Sequence, residues 1–119
     1  MKIAIPQWQG RVSPVFDESR NLLLVDIENR LEVNRFEERM LHKDPVLRAR
    51  HVMTAGVDIL ICGAISLALE QLLTSAGIIV MAYTCGPVND IVEAYINHTL
   101  MHAEFTLPGC SKKRQQLGI

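Results

Sequence analysis

Two stretches of this chain carry a thiol in similar surroundings. Residues 59–66 and 79–87 each contain an apolar run, a cysteine followed by a glycine (Cys62 and Cys85), and the start of a helical pattern. Such runs are typical of buried parallel strands that lead into helices, and the carboxyl ends of parallel strands meet at one edge of a sheet. Both thiols are therefore expected to face one crevice. Because thiolates bind iron, copper and other soft metals, the sequence predicts a metal-cluster or anion site there.

The loop after the first strand is expected at the same edge. The Ser13 hydroxyl and the backbone N–H groups of this loop are suited to holding anionic sulfide or oxo groups, and Trp8 and Phe16 are suited to shielding a cluster from water. Ser13, Phe16 and Asp17 are therefore predicted cofactor-binding residues, since binding residues concentrate on loops carried by rigid sheets. The alternative is that Phe16 only fixes the loop to the core and Asp17 only caps a turn.

A third cysteine, Cys110, lies in a terminal segment that could fold back over the crevice. Together with Cys62 and Cys85 it is a predicted metal ligand. An alternative stays open for each thiol: Cys62 and Cys85 as small core hydrophobes, and Cys110 as an exposed thiol on a tail. No pair has C-x-x-C spacing, which argues against a structural zinc site.

The composition fits one small domain with a single core. Of the 119 residues, 49% are hydrophobic and 21% are charged, and we expect one domain over residues 1–105 and a flexible tail over residues 106–119. An odd count of three cysteines favours reduced thiols and a cytoplasmic location, and neither a secretory signal nor a membrane span is expected. A net charge of −1 and 5% aromatic residues argue against nucleic-acid binding.

The hydrophobic pattern predicts five strands and three helices. The strands are expected over residues 2–6, 21–28, 31–36, 57–62 and 78–83. The second and third strands form an antiparallel hairpin, and the later alternation of strands and helices requires parallel pairing with right-handed crossovers. The expected fold is an α/β, ribonuclease-H-like three-layer arrangement, with a mixed five-stranded sheet of order 3-2-1-4-5 and helices on both faces.

The helices are expected to bury one apolar face each. The first begins with Asp44 as N-cap and Pro45 as the first helical residue, and the others begin near Ser66 and Gly86. Helical spacing predicts these buried faces: Val46, Ala49, Val52 and Met53 in the first helix, Leu69, Leu72, Leu73 and Ala76 in the second, and Val88, Ile91, Val92 and Tyr95 in the third.

The acidic and glycine residues argue against the main enzymatic alternatives. A ribonuclease-H-like nuclease needs carboxylates that converge on two metal ions, yet Asp17, Asp26 and Asp58 form no predicted cluster. Gly63 and Gly86 are isolated and lack the spacing of a phosphate-binding loop. We therefore predict no catalytic residues and no enzymatic activity, and a thiol-dependent enzyme is the weaker alternative.

Several motifs together resemble one protein family. They are residues 3–6, residues 10–17 with the sequence Ser-Pro-Val-Phe-Asp, residues 56–66 with the sequence Cys-Gly-Ala-Ile-Ser, and residues 76–78. Over residues 1–100 the chain resembles the dinitrogenase iron-molybdenum cofactor biosynthesis family. That family includes NifX-like proteins, the C-terminal domain of NifB-like proteins and small stand-alone members.

The resemblance implies a function as well as a fold. It implies a ribonuclease-H-like domain that carries, stores or inserts iron–sulfur or iron-molybdenum-type clusters and catalyses no reaction of its own. The implied partners are a transiently bound cluster and the proteins that donate or accept it. Because fold alone does not fix function, a protein-interaction or regulatory module with no bound cluster is the alternative.

Overall fold

The computed structural model describes residues 1–98, Leu100 and Phe105, and within them the chain forms one mixed sheet and three α-helices. The strands are β1 (Lys2–Trp8), β2 (Arg11–Val12), β3 (Asn21–Glu28), β4 (Leu31–Arg39), β5 (Ile59–Ile61) and β6 (Ile79–Met81). The helices are α1 (Pro45–Thr54), α2 (Leu67–Ser75) and α3 (Val88–Ile96), and a 3-10 turn covers Phe16–Glu18. The predicted α/β class with a mixed sheet is confirmed.

Strand β1 lies at the centre of the sheet. It pairs antiparallel with β3 and parallel with β5, while β4 and β6 form the two edges. Strands β3 and β4 form the predicted hairpin, in which the turn residues Asn29 and Arg30 both have a positive φ, as a two-residue hairpin turn of type I′ requires. Strands β5 and β6 run side by side in the same direction, with Ile61 opposite Met81. The parallel pair on which the predicted thiol site depends is therefore present.

The number and numbering of the strands differ from the prediction. The sequence predicts five strands in the order 3-2-1-4-5, whereas the sheet has six, in the order β4-β3-β1-β5-β6 with β2 paired to β1. The prediction omits β2 because a strand of two residues is too short to show any periodicity. Pairing of Val12 with Gln7 folds the loop after β1 back along that strand.

Different helices cover the two faces of the sheet. On one face, α1 and α2 pack with alternate strand residues such as Ala4, Leu24 and Leu60. On the other face, α3 packs with the intervening residues such as Ile3 and Ile59. Because successive side chains of a strand point to opposite faces, β1 and β5 are buried on both sides, which explains their continuous apolar runs.

Helix α1 begins where predicted but buries a different face. The carboxylate of Asp44, the predicted N-cap, accepts hydrogen bonds of 2.8 Å from the N–H of Val46 and 3.3 Å from the N–H of Leu47. Ala49 and Val52 are buried as predicted. Val46 and Met53 are exposed, however, and Arg48 is buried in their place. The buried face of α1 is therefore rotated toward a charged residue.

Helix α2 buries half of its predicted residues, as α1 does, and α3 follows the prediction more closely. In α2, Leu69 and Leu73 are buried whereas Leu72 and Ala76 are exposed. In α3, the three predicted residues Val88, Ile91 and Val92 are buried and Tyr95 is half-buried.

Within the described part of the chain, no helix has both the length and the apolar character needed to cross a membrane. Part of the predicted domain organisation lies outside the described residues. These are Thr99 and residues 101–104 of the predicted domain, and the predicted tail, residues 106–119, which includes Cys110.

Candidate functional site

Three loops at the carboxyl ends of β1, β5 and β6 form one continuous surface, which we call the carboxyl edge. It consists of residues 9–20, 62–66 and 82–87. Ala64 in the second loop joins the first loop through two backbone hydrogen bonds of 2.8 Å: its N–H donates to the carbonyl of Pro14, and its carbonyl accepts from the N–H of Phe16. These bonds extend the sheet beyond the ends of its strands.

The third loop is joined to the first in the same way. The N–H of Val12 donates to the carbonyl of Gly86 at 3.0 Å, and the N–H of Val88 donates to the carbonyl of Gly10 at 2.9 Å. Backbone atoms make all of these bonds. The side chains of Asp17 and Arg48 add further hydrogen bonds to the first loop.

The loops meet at Gly63, where there is no room for a side chain. A Cβ atom on Gly63 would lie 2.5 Å from the carbonyl oxygen of Pro14 and 2.6 Å from that of Ser13, closer than real Cβ contacts. The carbonyl of Gly63 also accepts a hydrogen bond of 2.9 Å from the N–H of Tyr83 in the third loop. Glycine at this position therefore allows all three loops to come together.

Asp17 lies where the first loop meets α2. Its Oδ1 atom accepts a hydrogen bond of 2.8 Å from the backbone N–H of Ser66, the N-cap of α2. A carboxylate at this position also stabilises the positive end of the helix dipole. This contact corresponds to the capping alternative for Asp17, and a cofactor-binding role for Asp17 stays a prediction.

Phe16 is a core residue in this structure, whereas Trp8 is exposed. The ring of Phe16 is fully buried on the face covered by α1 and α2, and the guanidinium carbon of Arg48 lies 5.1 Å from the ring centroid. Trp8, in contrast, is 61% exposed. Of the two aromatic residues predicted to shield a cluster, Trp8 is the one that the structure places at the surface.

Cys62 follows β5 directly and is enclosed by protein. Its exposed fraction is 0%, it belongs to the core on the α1 and α2 face, and its backbone N–H donates to the carbonyl of Met81 at 3.0 Å. Burial raises the pKa of the Cys62 thiol, and the negative charges of Glu70 and Asp17 raise it further. The thiol is therefore protonated at neutral pH, as expected for a core residue.

Cys85 lies in the third loop and is half-buried. Its backbone N–H donates to the carbonyl of Phe105 at 2.9 Å. The next residue, Gly86, has a φ of +126°, and a Cβ atom there would lie 3.6 Å from the Phe105 ring. Phe105 packs with the core on the α3 face, so Cys85 lies close to that core whereas Cys62 belongs to the opposite one.

Ser13 lies in a cleft on the first loop. Its backbone N–H donates to the carbonyl of Pro6 at 2.8 Å, and its side chain is largely buried. The cleft has a volume of about 400 Å³, and Trp8, Arg20 and Arg39 also line it. Ser13 and Trp8, which were predicted to act on the same ligand, therefore share one concave surface.

The predicted residues do not converge on one set of ligands. Ser13 lines this cleft, Asp17 lines a neighbouring cleft of about 540 Å³, and neither Cys62 nor Cys85 lines either cleft. Among the residues that the structure describes, no group of three His, Cys, Asp or Glu side chains could hold a metal ion. The predicted ligand Cys110 lies outside those residues.

Three buried polar residues of the described part of the chain escape the sequence prediction: Ser19, Arg48 and Thr84. Thr84 is 1% exposed, and its hydroxyl donates to the carbonyl of Met81 at 3.3 Å. Arg48 is 3% exposed. The sequence offers one signal for Arg48: its spacing of four residues from the buried Val52 places both on one face of α1.

Comparison with known proteins gives a match over most of the chain. The model of the family described as dinitrogenase iron-molybdenum cofactor matches residues 1–98. No curated protein matches the chain.

Solved structures with the same fold include three informative ones. The crystal structure of the protein PH0822 has 27% sequence identity and a TM-score of 0.79, and the alignment covers 84% of this chain and 94% of that one. A candidate dinitrogenase from Methanocaldococcus jannaschii has 19% identity and a TM-score of 0.68, with 84% and 91% covered. The apo form of the orange protein from Desulfovibrio gigas has 21% identity and a TM-score of 0.66, with 88% and 94% covered. The last two resemble this chain in fold alone.

Proposed function

This chain belongs to the dinitrogenase iron-molybdenum cofactor family, and we propose that it is a non-enzymatic carrier or insertion protein for iron–sulfur or molybdenum-containing clusters. The match over residues 1–98 is the observation that carries the proposal, and it confirms the family resemblance of the sequence motifs. In this proposal the cluster is cargo: the chain receives it from a donor protein and delivers it to an acceptor protein.

The arrangement of the carboxyl edge supports cargo binding. Ligands of open α/β sheets bind beyond the carboxyl ends of the strands, where these three loops lie. The described residues offer no complete set of protein ligands for a metal ion. A preformed cluster needs no such set, because its own sulfide or oxo groups fill most coordination positions, and one thiolate with surrounding polar groups suffices to hold it.

We assign the thiolate to Cys85 rather than Cys62. Cys85 is half-buried in the third loop, whereas Cys62 is fully buried with a raised pKa. To act as a ligand, the Cys62 thiol would have to become exposed and lose its proton. Both changes cost free energy, because the thiol is buried and its pKa is raised. Ser13 and Asp17 remain proposed polar contacts from the first loop, although they line two different clefts and Cys85 lines neither. Cys110 remains a proposed third sulfur ligand.

Several finer features belong to the same proposal. We propose a ribonuclease-H-like architecture for the six-stranded sheet, a cytoplasmic location with reduced thiols, and partner proteins that donate or accept the cluster. These features follow from the family and from the odd count of three cysteines.

Anaerobic reconstitution tests the proposal. The purified chain is incubated with iron, sulfide and either molybdate or thiomolybdate, desalted, and measured by visible absorption and metal analysis. We expect charge-transfer absorption that co-purifies with the protein and is lost or strongly reduced in Cys85→Ser. Cys62→Ala is the matched control and should retain the absorption, and Cys110→Ser tests the third sulfur.

Two outcomes would contradict the proposal or its assignment. A wild-type protein that retains neither metal nor chromophore under any of these conditions contradicts the carrier function. Loss of the chromophore in folded Cys62→Ala, together with its retention in Cys85→Ser, contradicts the choice of Cys85.

The complete burial of Cys62 favours a second candidate, a protein-interaction or regulatory module that binds no cluster. In that case the thiols have structural roles only. Thiol titration of a Cys110→Ser background distinguishes the two functions: the carrier predicts one thiol that reacts in the native protein, Cys85, whereas the module predicts that both thiols react only on unfolding.

A further inference from the structure

Arg48 is a buried cation that ties three chain segments together. Its Nη1 atom donates to the carbonyl of His42 at 2.6 Å, and its Nη2 atom donates to the carbonyls of Phe16 and Ser19 at 2.6 and 2.7 Å. Nη2 also donates to the Ser19 hydroxyl at 3.1 Å. The side chain is 3% exposed, so these contacts replace nearly all of its contact with water.

The charge of Arg48 is not balanced by these contacts. All of its acceptors are neutral oxygen atoms, and its buried Nε atom has no hydrogen-bond acceptor among the described residues. Burial lowers the pKa of the guanidinium, and the negative charge of Asp17 opposes that shift without a salt bridge. A buried cation is costly unless an anion pairs with it, so this site favours a negatively charged partner.

A cleft with further cationic side chains lies against Arg48. Its volume is about 540 Å³, within the range typical of small-molecule sites. We call it the arginine cleft, and its charged lining residues are Arg20, Arg39, Lys43, Arg48, Asp17 and Glu18. Four cations thus face two carboxylates, and one of these, Asp17, is already bonded to the Ser66 N–H at 2.8 Å.

We propose that the arginine cleft binds a tetrahedral divalent oxyanion, either as a free ion or as the terminal group of a phosphomonoester. Guanidinium groups donate several hydrogen bonds in a planar fork that fits such oxygens. The buried Arg48 contributes positive charge to the wall of the cleft, and the exposed Arg20 and Arg39 supply hydrogen-bond donors from the loop and from β4. The proposal does not depend on cluster binding by a thiolate, because neither Cys62 nor Cys85 lines this cleft; of the residues proposed to contact the cluster, Asp17 alone among those described lines it.

Isothermal titration calorimetry with phosphate, sulfate and molybdate tests the proposal, with sodium chloride at equal ionic strength as the reference. We expect saturable binding of at least one of these anions and none of chloride. Arg20→Gln and Arg39→Gln should each weaken that binding about tenfold, since hydrogen bonds to charged groups are among the stronger ones. Both side chains are exposed, so these variants are expected to fold.

Arg50→Gln is the matched control. It removes the same charge from an exposed position on α1, the helix that carries Arg48, but Arg50 does not line the arginine cleft. The anion affinity of the Arg50→Gln variant should stay within about twofold of that of the wild type, because exposed charges act weakly at a distance. An equal loss in Arg50→Gln, Arg20→Gln and Arg39→Gln would mean nonspecific attraction and would overturn the proposal.

A purely structural role for Arg48 predicts a different result. In that case none of the three anions binds saturably to the wild type, although Arg48→Met still destabilises the fold, and the proposal is overturned.

Phenyl phosphate distinguishes the sources of the anion. Tighter binding of phenyl phosphate than of phosphate assigns the cleft to a phosphomonoester, and equal or weaker binding assigns it to the free ion.

Discussion

The turn after β5 contains a fully buried cysteine and a glycine with no room for a side chain, whereas the turn after β6 contains a half-buried cysteine and a glycine with a positive φ. The two turns therefore use the same dipeptide for different physical reasons. At Gly63 the limiting factor is the distance to the carbonyl oxygens of another loop. At Gly86 the limiting factor is the backbone conformation.

The strand register explains the difference between the cysteines. Ile59, Leu60 and Ile61 lie opposite Ile79, Val80 and Met81, which is a constant offset of 20 residues. At that offset the position equivalent to Cys62 is Ala82, another residue of the core on the α1 and α2 face. Cys85 is equivalent to position 65, three residues further along the turn. Two similar local sequences therefore occupy positions that are not equivalent in the sheet.

Substitution of the two glycines is expected to have the largest effect. Gly63→Ala places a Cβ atom against two backbone oxygens that cannot move independently, and should lower the free energy of unfolding by at least about 3 kcal/mol. Gly86→Ala has only ordinary contacts and backbone strain, and should cost about 1–2 kcal/mol. Chemical denaturation of both variants measures the difference. Equal losses would contradict the distinction drawn between the turns.

Substitution of the cysteines by serine should again destabilise the turn after β5 more than the turn after β6, with smaller losses in the free energy of unfolding. Cys62→Ser buries a hydroxyl in an apolar core and should lower the free energy of unfolding by about 1–3 kcal/mol. Cys85→Ser changes a half-buried position and should cost less than about 0.5 kcal/mol. The measurement is again chemical denaturation. A larger loss for Cys85→Ser would indicate that its side chain, too, is part of a core.

The raised pKa of Cys62 predicts a loss of stability in alkaline solution. The folded state keeps the proton of Cys62, whereas the unfolded thiol loses it above its ordinary pKa of about 9, so stability is complete below that pH and declines above it. Between pH 8 and 10 the wild type should lose about 1 kcal/mol more than Cys62→Ala, in which this group is absent. The same slope in both proteins would show that Cys62 does not titrate differently on folding.

The smallest expected difference in stability concerns the acidic residues at the starts of α2 and α3, the helices that follow these turns. Asp17 accepts a hydrogen bond at the start of α2, whereas the first turn of α3 has only the exposed Asp90. Asp17→Ala should lower the free energy of unfolding by about 1 kcal/mol, and Asp90→Ala by about 0.3 kcal/mol through the helix dipole. Thermal unfolding of the two variants compares the effects, and equal shifts would mean that the Asp17 hydrogen bond adds nothing to the dipole.

Local patterns explain most of what the sequence predicts correctly. The apolar runs of β1, β3, β5 and β6 and the Asp44-Pro45 start of α1 are local signals, and the hairpin and the parallel pair follow from them. The two-residue β2 shows no periodicity and is missed. The class of fold is thus readable from residues that are close together in the chain.

The site is less predictable, because its properties depend on contacts between distant segments. Cys62 is buried in a core that includes residues of α1, α2 and β6, which lie at other places in the sequence. Arg48 looks like one of the exposed charges of an amphipathic helix until its contacts with Phe16 and Ser19, about thirty residues away, are known. The spacing of four residues from Val52 places Arg48 on the buried face of α1, but only the contacts with distant segments show what it binds there. No spacing distinguishes the two cysteines.

The central position of β1 bears on how the chain folds during its synthesis. Lys2 pairs with Asp26 in β3, and Ile3 pairs with Ile59 in β5. The antiparallel unit of β1, β3 and β4 is therefore complete about twenty residues before its parallel partner has been translated. At typical elongation rates this leaves the open side of β1 without its neighbour for roughly one to four seconds. Ribosomal pausing within α1 would prolong that interval, and with it the opportunity for two nascent chains to pair through β1.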